Sequence, residues 1–251
     1  MGGSSQGIGR AIAKELAGLG ATVTLLARDA ERTAAVVKDL PVVNGAVHGT
    51  AIADMADTLA LERTIAETCA TRGPFHILVN NTGGPPPGKA HEAEVDAYLS
   101  AFRLHLIAYQ TLVRAIVPGM KELGEGRIIN VISTSVKQPL PNLGVSNTIR
   151  GAVANWAKTL ANELGPSGIT VNNVLPGATS TERLAAIIRN KAAKGKSSEH
   201  EAAEAMMEEI PLRRFAAPEE IAYAVAFLAG PCGAYINGIN LPVDGGRTAC
   251  L

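Results

Sequence analysis

Gly2-Gly3-Ser4-Ser5-Gln6-Gly7-Ile8-Gly9 decides the reading of the fold. Gly3, Gly7 and Gly9 form a GxxxGxG pattern that runs straight into an amphipathic segment, Gly7 to Leu19. Glycines allow a tight turn and close backbone approach, and the helix that follows offers free N–H groups to a pyrophosphate. Gly3, Ser4, Ser5, Gln6, Gly7, Ile8 and Gly9 are therefore candidate cofactor contacts. Thr22 to Ala27 reads as a strand ending about 20 residues after the loop on Arg28, where dinucleotide folds select the adenosine ribose. A guanidinium there suits a 2′-phosphate, so NADP is expected, with NAD as the alternative because Asp29 stands next door.

Downstream, short β-branched runs alternate with helical patterns, the rhythm of βαβ units around a parallel sheet. Further strands are expected at Gly45 to Ala51, His76 to Asn80, Arg127 to Ile132, Thr170 to Leu175 and Ile239 to Val243. Helices are expected at Ala30 to Leu40, Thr58 to Cys69, His91 to Leu123, Ser146 to Leu164 and Pro218 to Leu228. The expected fold is a doubly wound, Rossmann-like α/β domain spanning 1–251. Its polar insertion, Asn190 to Glu209, reads as a solvated helical pair, and residues 182–211 as a candidate substrate lid.

The residues also resemble the short-chain dehydrogenase/reductase family, and within it 3-oxoacyl-[acyl-carrier-protein] reductase-like members. The carriers are Asp54-Met55 after a strand, Asn80-Asn81-Thr82-Gly83, Pro176-Gly177 with Thr181, and the stretch from Pro211-Leu212 to Val243-Asp244-Gly245-Gly246. The resemblance implies adenine contacts at Asp54 and Met55 and further cofactor contacts at Asn81, Gly83, Pro176, Gly177 and Thr181. It also implies a strand ahead of the glycine loop, whereas only Met1 precedes Gly2. The expectation is that this first strand is absent from the chain and that the natural protein begins upstream.

In that family an Asn, Ser, Tyr and Lys relay carries the proton while NAD(P)H delivers hydride. Ser133 falls at the serine position, but Ser146 stands where tyrosine is expected, Arg150 where lysine is, and His105 where asparagine is. Spacing of i, i+4 keeps Ser146 and Arg150 on one helical face. Arg150 can hold ribose hydroxyls and stabilise an alkoxide, but it cannot shuttle a proton. His105 is the candidate replacement acid, set against a buried core histidine, and Ser146 is set against a plain helix N-cap. The expected activity is hydride transfer between NADP(H) and a ketone or secondary alcohol, 3-oxoacyl thioesters included. A non-catalytic NADP-binding sensor or assembly subunit is the alternative.

Lys plus Arg and Asp plus Glu number 23 each, so no net field draws the chain to nucleic acid or an anionic membrane. A small carbonyl or alcohol is the expected partner. Cys69, Cys232 and Cys250 show no metal-ligand spacing and fit a reducing, cytoplasmic setting. The resemblance further implies a homotetramer or homodimer with contacts on the His91 to Leu123 and Ser146 to Leu164 helices.

Overall fold

Residues 1–250 are described by a computed structural model. The order is α1 (Gly7–Gly18), β1 (Thr24–Ala27), α2 (Ala30–Lys38), β2 (Gly49–Ile52), α3 (Thr58–Arg72), β3 (Ile77–Asn81), α4 (Val95–Phe102), α5 (Ala108–Leu123), β4 (Gly126–Val131), α6 (Gly144–Leu164), β5 (Ile169–Pro176), α7 (Glu182–Gly195), α8 (Glu199–Glu208), α9 (Pro218–Ala229) and β6 (Asn240–Val243). Every strand pairing is parallel. Consecutive strand residues face opposite helix layers. Leu78 and Ile128 pack with α3, α5 and α6 through Leu61, Leu112 and Val153, while Val79 and Ile129 pack with α1 and α9 through Ile12, Leu16 and Val225. This is the doubly wound arrangement that the alternation of patterns predicted.

The sheet consists of a β1–β2 pair and a four-stranded β3-β4-β5-β6 unit. Between them, among the described residues, lie only Met1 and Gly2. The Gly2 N–H donates to Val79 O at 3.0 Å, and the Leu26 N–H donates to Met1 O at 2.8 Å. The terminal ammonium of Met1 donates to Thr24 O at 2.8 Å. These two residues therefore stitch the halves together at the point where strand order reverses. In open α/β sheets that switch point, at the carboxyl ends of the strands, is where ligands bind.

Several boundaries differ from the sequence reading for local reasons. β2 starts at Gly49 rather than Gly45, because Asn44 and Gly45 both take positive φ and turn the chain. His48 is consumed in that turn: its Nδ1 accepts from the Val23 N–H and its Nε2 bonds Pro41 O. The single helix expected from His91 to Leu123 is a 3₁₀ turn at Ala90–Glu92, then α4, a π segment at Arg103–Ile107, and α5. The insertion forms α7 and α8, so helix begins at Glu182, eight residues before the expected pair. Among the described residues no helix is long and apolar enough to cross a membrane.

A row of asparagines binds the larger sheet side to side. Asn80 Nδ2 donates to Asn130 Oδ1 at 2.8 Å, Asn130 Nδ2 to Asn173 Oδ1 at 2.9 Å, and Asn173 Nδ2 to Asn240 Oδ1 at 2.8 Å. The strand register sets these residues directly opposite one another. Replacing Asn130 with leucine strands a donor on Asn80 and an acceptor on Asn173, each costing about 1–3 kcal/mol when buried. Chemical denaturation of Asn130→Leu is expected to show a loss of roughly 2–6 kcal/mol. Asn240→Ala, at the half-exposed end of the row, is expected to lose much less.

Candidate active site

The glycine loop is folded against β3. A Cβ on Gly9 would sit 2.1 Å from Gly3 O, and one on Gly3, whose φ is +57°, would sit 2.6 Å from Asn81 O. Asn81 Nδ2 donates to Gly3 O at 3.1 Å and pins the loop. Gln6 caps α1 without a side-chain hydrogen bond, so the N–H groups of its first turn stay free. Ser4 is buried, and its Oγ has no partner. Free donors, an orphaned hydroxyl and a cradle that any Cβ would fill together fit a dinucleotide's pyrophosphate.

The other expected cofactor residues surround this loop. Gly7 faces the Thr181 methyl, with 3.3 Å between that carbon and a Gly7 Cβ, and Thr181 caps α7. The Gly177 N–H bonds Val243 O at 2.9 Å, and a Cβ there would strike Asp244, which fixes Pro176-Gly177 at the end of β5. Gly83 has open space on its Cβ side. Arg28 lies 3.5 Å from Asp54 in an exposed ion pair of little intrinsic strength, and is free to turn to a ligand. Asp54 also accepts from the Ala56 N–H, while Met55 is buried with its sulfur under Gly2. Arg32, unremarked in sequence, reaches Gln6 Oε1 at 3.2 Å. Ser5 and Ile8 sit half-buried along the loop.

Beyond the loop, four elements bring their polar side chains to one place. The π segment turns His105 inward, where it is fully buried and its Nδ1 meets Thr82 Oγ1 at 2.5 Å. Thr82 Oγ1 also meets the Tyr109 hydroxyl at 2.9 Å, and the two rings stand edge to face. From α6, the buried Arg150 donates from Nη1 to Val131 O at 3.3 Å and from Nη2 to Thr82 O at 3.4 Å. Ser133, two residues beyond Val131, is half-buried, and its Oγ accepts from the Ser135 N–H. Ser146 is buried on the first turn of α6.

Ser146 is not the helix N-cap. The helix begins at Gly144 after Leu143, because Gly144 packs so closely on Ala90 that a Cβ would lie 2.4 Å from its backbone. Ser146 is buried in the first turn of the helix, one turn before Arg150.

The structure also corrects His105 as an imidazolium acid. Burial, helped by the charges of Arg150 and Arg183, depresses its pKa from the ordinary 6.5 to about 3. The ring is neutral at pH 7, and its Nε2 is buried without a partner. Burial raises the Tyr109 pKa, with Arg150 and Thr82 opposing. Burial lowers that of Arg150, with Tyr109 opposing and Arg183 reinforcing.

The His105 shift has a consequence for stability. Unfolded chain gains a proton below pH 6.5 that the folded ring refuses, so stability present above 6.5 is lost as pH falls toward 3. Between pH 7 and 5 this histidine alone accounts for about 2 kcal/mol. Urea denaturation at both pH values is expected to show that part of the wild-type loss disappearing in His105→Gln.

Arg183 is the residue that sequence reasoning missed. It lies on the first turn of α7, and its Nη1 donates to Gly84 O at 3.0 Å, so it crosses from the 182–211 segment to the loop after β3. The only advance signal was its place two residues after Thr181.

Comparison with known proteins follows the same outline. A family described as enoyl-(acyl carrier protein) reductase matches residues 3–248. The NADPH-dependent reductase BacG of Bacillus subtilis is 29% identical over 97% of this chain and 95% of its own length. The 3-oxoacyl-[acyl-carrier-protein] reductase FabG of Vibrio harveyi is 34% identical, over 97% and 94%. The L-sorbose reductase of Gluconobacter frateurii, solved with NADPH and L-sorbose, superposes with a TM-score of 0.94 at 30% identity, covering 100% of this chain and 96% of that one.

Proposed function

Since the chain belongs to the short-chain dehydrogenase/reductase family, we propose that it is an NADPH-dependent reductase of a ketone or related carbonyl whose oxygen is held by Ser133 and Arg150. The observation that carries this reading is the placement of Arg150. Its buried guanidinium, with five donors, reaches Val131 O, two residues before Ser133, together with Thr82 O and the Tyr109 hydroxyl.

The loop from Gly3 to Gly9 would hold the pyrophosphate, Arg28 the 2′-phosphate, and Asp54 and Met55 the adenine side. Asn81 braces the loop, while Gly83, Pro176, Gly177 and Thr181 would border the nicotinamide half. When bound, NADPH would supply the hydride to the carbonyl carbon and become NADP⁺. The carbonyl oxygen then gains negative charge that Arg150 stabilises without surrendering its own proton. Ser133 donates a hydrogen bond to that oxygen, and Ser146 borders it from the same helical face as Arg150. Because His105 is neutral and buried, the proton that completes the alcohol comes from water. Residues 182–211 would close over the substrate, with Thr181 as the near hinge.

NADPH consumption against ketones, sugars and 3-oxoacyl thioesters tests the reading. Turnover of at least one class is expected. Tight NADPH binding with no turnover of any class, together with gain of turnover in a Ser146→Tyr/Arg150→Lys variant, would establish a non-catalytic binder instead.

A further inference from the structure

We propose that the substrate is an oxo acid whose carboxylate is clamped by Arg183 together with Arg150, across the Thr82–Gly84 loop. The inference rests on the reductase reading and narrows it to a substrate class.

Two guanidiniums arrive at this loop from different elements, Arg150 from α6 onto Thr82 O and Arg183 from α7 onto Gly84 O. Among the described residues neither has a carboxylate partner within 4.0 Å, whereas Arg10, Arg214 and Arg247 each do. A buried cation normally comes paired, because desolvation is offset only by an opposite charge or by full hydrogen bonding; Arg150 is such a cation, and Arg183 is the exposed cation at the mouth of the same loop. Here the two cations instead reinforce each other unfavourably, since the charge of Arg183 adds to the depression of both the Arg150 and His105 pKa values. His105 Nε2, also buried, lacks a partner in the same cluster. A positive, under-bonded corner of this kind is completed by an anion.

Local geometry is shaped for that purpose. A Cβ on Gly84 would lie 2.7 Å from Arg183 Nη2, so the guanidinium lies directly against the loop backbone. The following Pro85-Pro86-Pro87 restricts the loop's backbone. Planar guanidiniums match a carboxylate in a two-pronged fashion, which favours a carboxylate over a diffuse polar group.

The cofactor's pyrophosphate is the other anion that could use Arg183. Order along the loop argues for the substrate. Asn81 touches the phosphate loop at Gly3, Thr82 touches Arg150 and His105, and Gly84, furthest along, touches Arg183.

The experiment compares pyruvate, acetoacetate and levulinate with their methyl esters, in wild type, Arg183→Gln and Arg183→Lys, with the NADPH dissociation constant measured separately by fluorescence. At least one acid is expected to exceed its ester in kcat/KM by roughly tenfold to hundredfold, the value of a charge-assisted contact. Arg183→Gln removes that preference, Arg183→Lys keeps part of it, and NADPH affinity moves less than about twofold. Equal use of acid and ester by the wild type overturns the proposal. So does an Arg183→Gln variant that keeps the acid preference and loses NADPH affinity, because the anion is then the pyrophosphate. If no compound is turned over, the reductase reading stands or falls on its own panel of ketones, sugars and thioesters, and calorimetry of the same acid and ester pairs on the NADP⁺ complex decides the anion site alone. Binding of an acid but not its ester to wild type, lost in Arg183→Gln, sustains it; equal or absent binding overturns it.

Discussion

A Gly9→Val variant is expected to lose NADPH binding by roughly two to four orders of magnitude while remaining folded. The first carbon of the new side chain would lie 2.1 Å from Gly3 O and 2.8 Å from Asn81 Nδ2, inside contact distance of backbone and of the bond that pins the loop. Gly3 must therefore move, and the N–H groups of the first α1 turn no longer converge on one point. Losing two charge-assisted hydrogen bonds to phosphate, each about 1.5–3 kcal/mol, gives the stated range. Gly18→Ala, at the other end of the same helix and with nothing within 4 Å of the new carbon, is the control. It is expected to bind NADPH as wild type does. Fluorescence titration of the reduced nicotinamide measures both, and equal affinity in Gly9→Val and Gly18→Ala would refute the assignment of the loop.

Arg150→Met is expected to separate activity from stability. The side chain is buried among carbonyl groups and has no carboxylate partner among the described residues, so its charge is held at a desolvation cost. Methionine fills much of the same space without that charge and also relieves His105 and Arg183 of a like-charged neighbour. Thermal stability is therefore expected to hold or rise, as it does when isolated buried charges are replaced by apolar groups. In contrast, kcat is expected to fall by about 10²–10³, the usual effect of removing one stabiliser of a developing oxyanion. Differential scanning calorimetry beside steady-state kinetics reads both. A variant that is less stable and equally active would make Arg150 a structural residue.

Sequence alone revealed the frame because the frame is periodic. Leu78-Val79 and Ile128-Ile129 each serve two helix layers, and such strands read as continuous apolar runs. The cofactor loop was legible for a different reason, since glycines at Gly3, Gly7 and Gly9 answer steric demands that only glycine meets. Ser133, Ser146 and Arg150 were locatable through the family resemblance, but their burial and partners were not. Four features depend on contacts distant in sequence and left no local trace. The π segment inserts one extra residue per turn into a helical pattern that looks unbroken, and so buries His105. The asparagine row exists only once the register of four strands is known. The cluster of Thr82, His105, Tyr109 and Arg150 draws on three separate stretches of chain. Arg183 pairs with a glycine carbonyl 99 residues away.

The split of the sheet into two units was foreshadowed by the position of the glycine loop in the sequence. What the structure adds is the role of Met1 and Gly2, whose three backbone hydrogen bonds reach both flanking strands. The phosphate loop is thereby anchored at the switch point.

Ser133 and Arg150 are expected to support hydride transfer with serine at the position of the family's tyrosine, and transfer of an isotope label reads this outcome. Wild-type protein is incubated with NADPH deuterated at the reactive C4 position and with the ketone, sugar, oxo-acid and thioester panel, and the products are read by mass spectrometry. One deuterium is expected on the carbinol carbon of at least one product, falling sharply in Arg150→Met. Saturable NADPH binding with no deuterium in any product, and transfer appearing only in the Ser146→Tyr/Arg150→Lys variant, would contradict it.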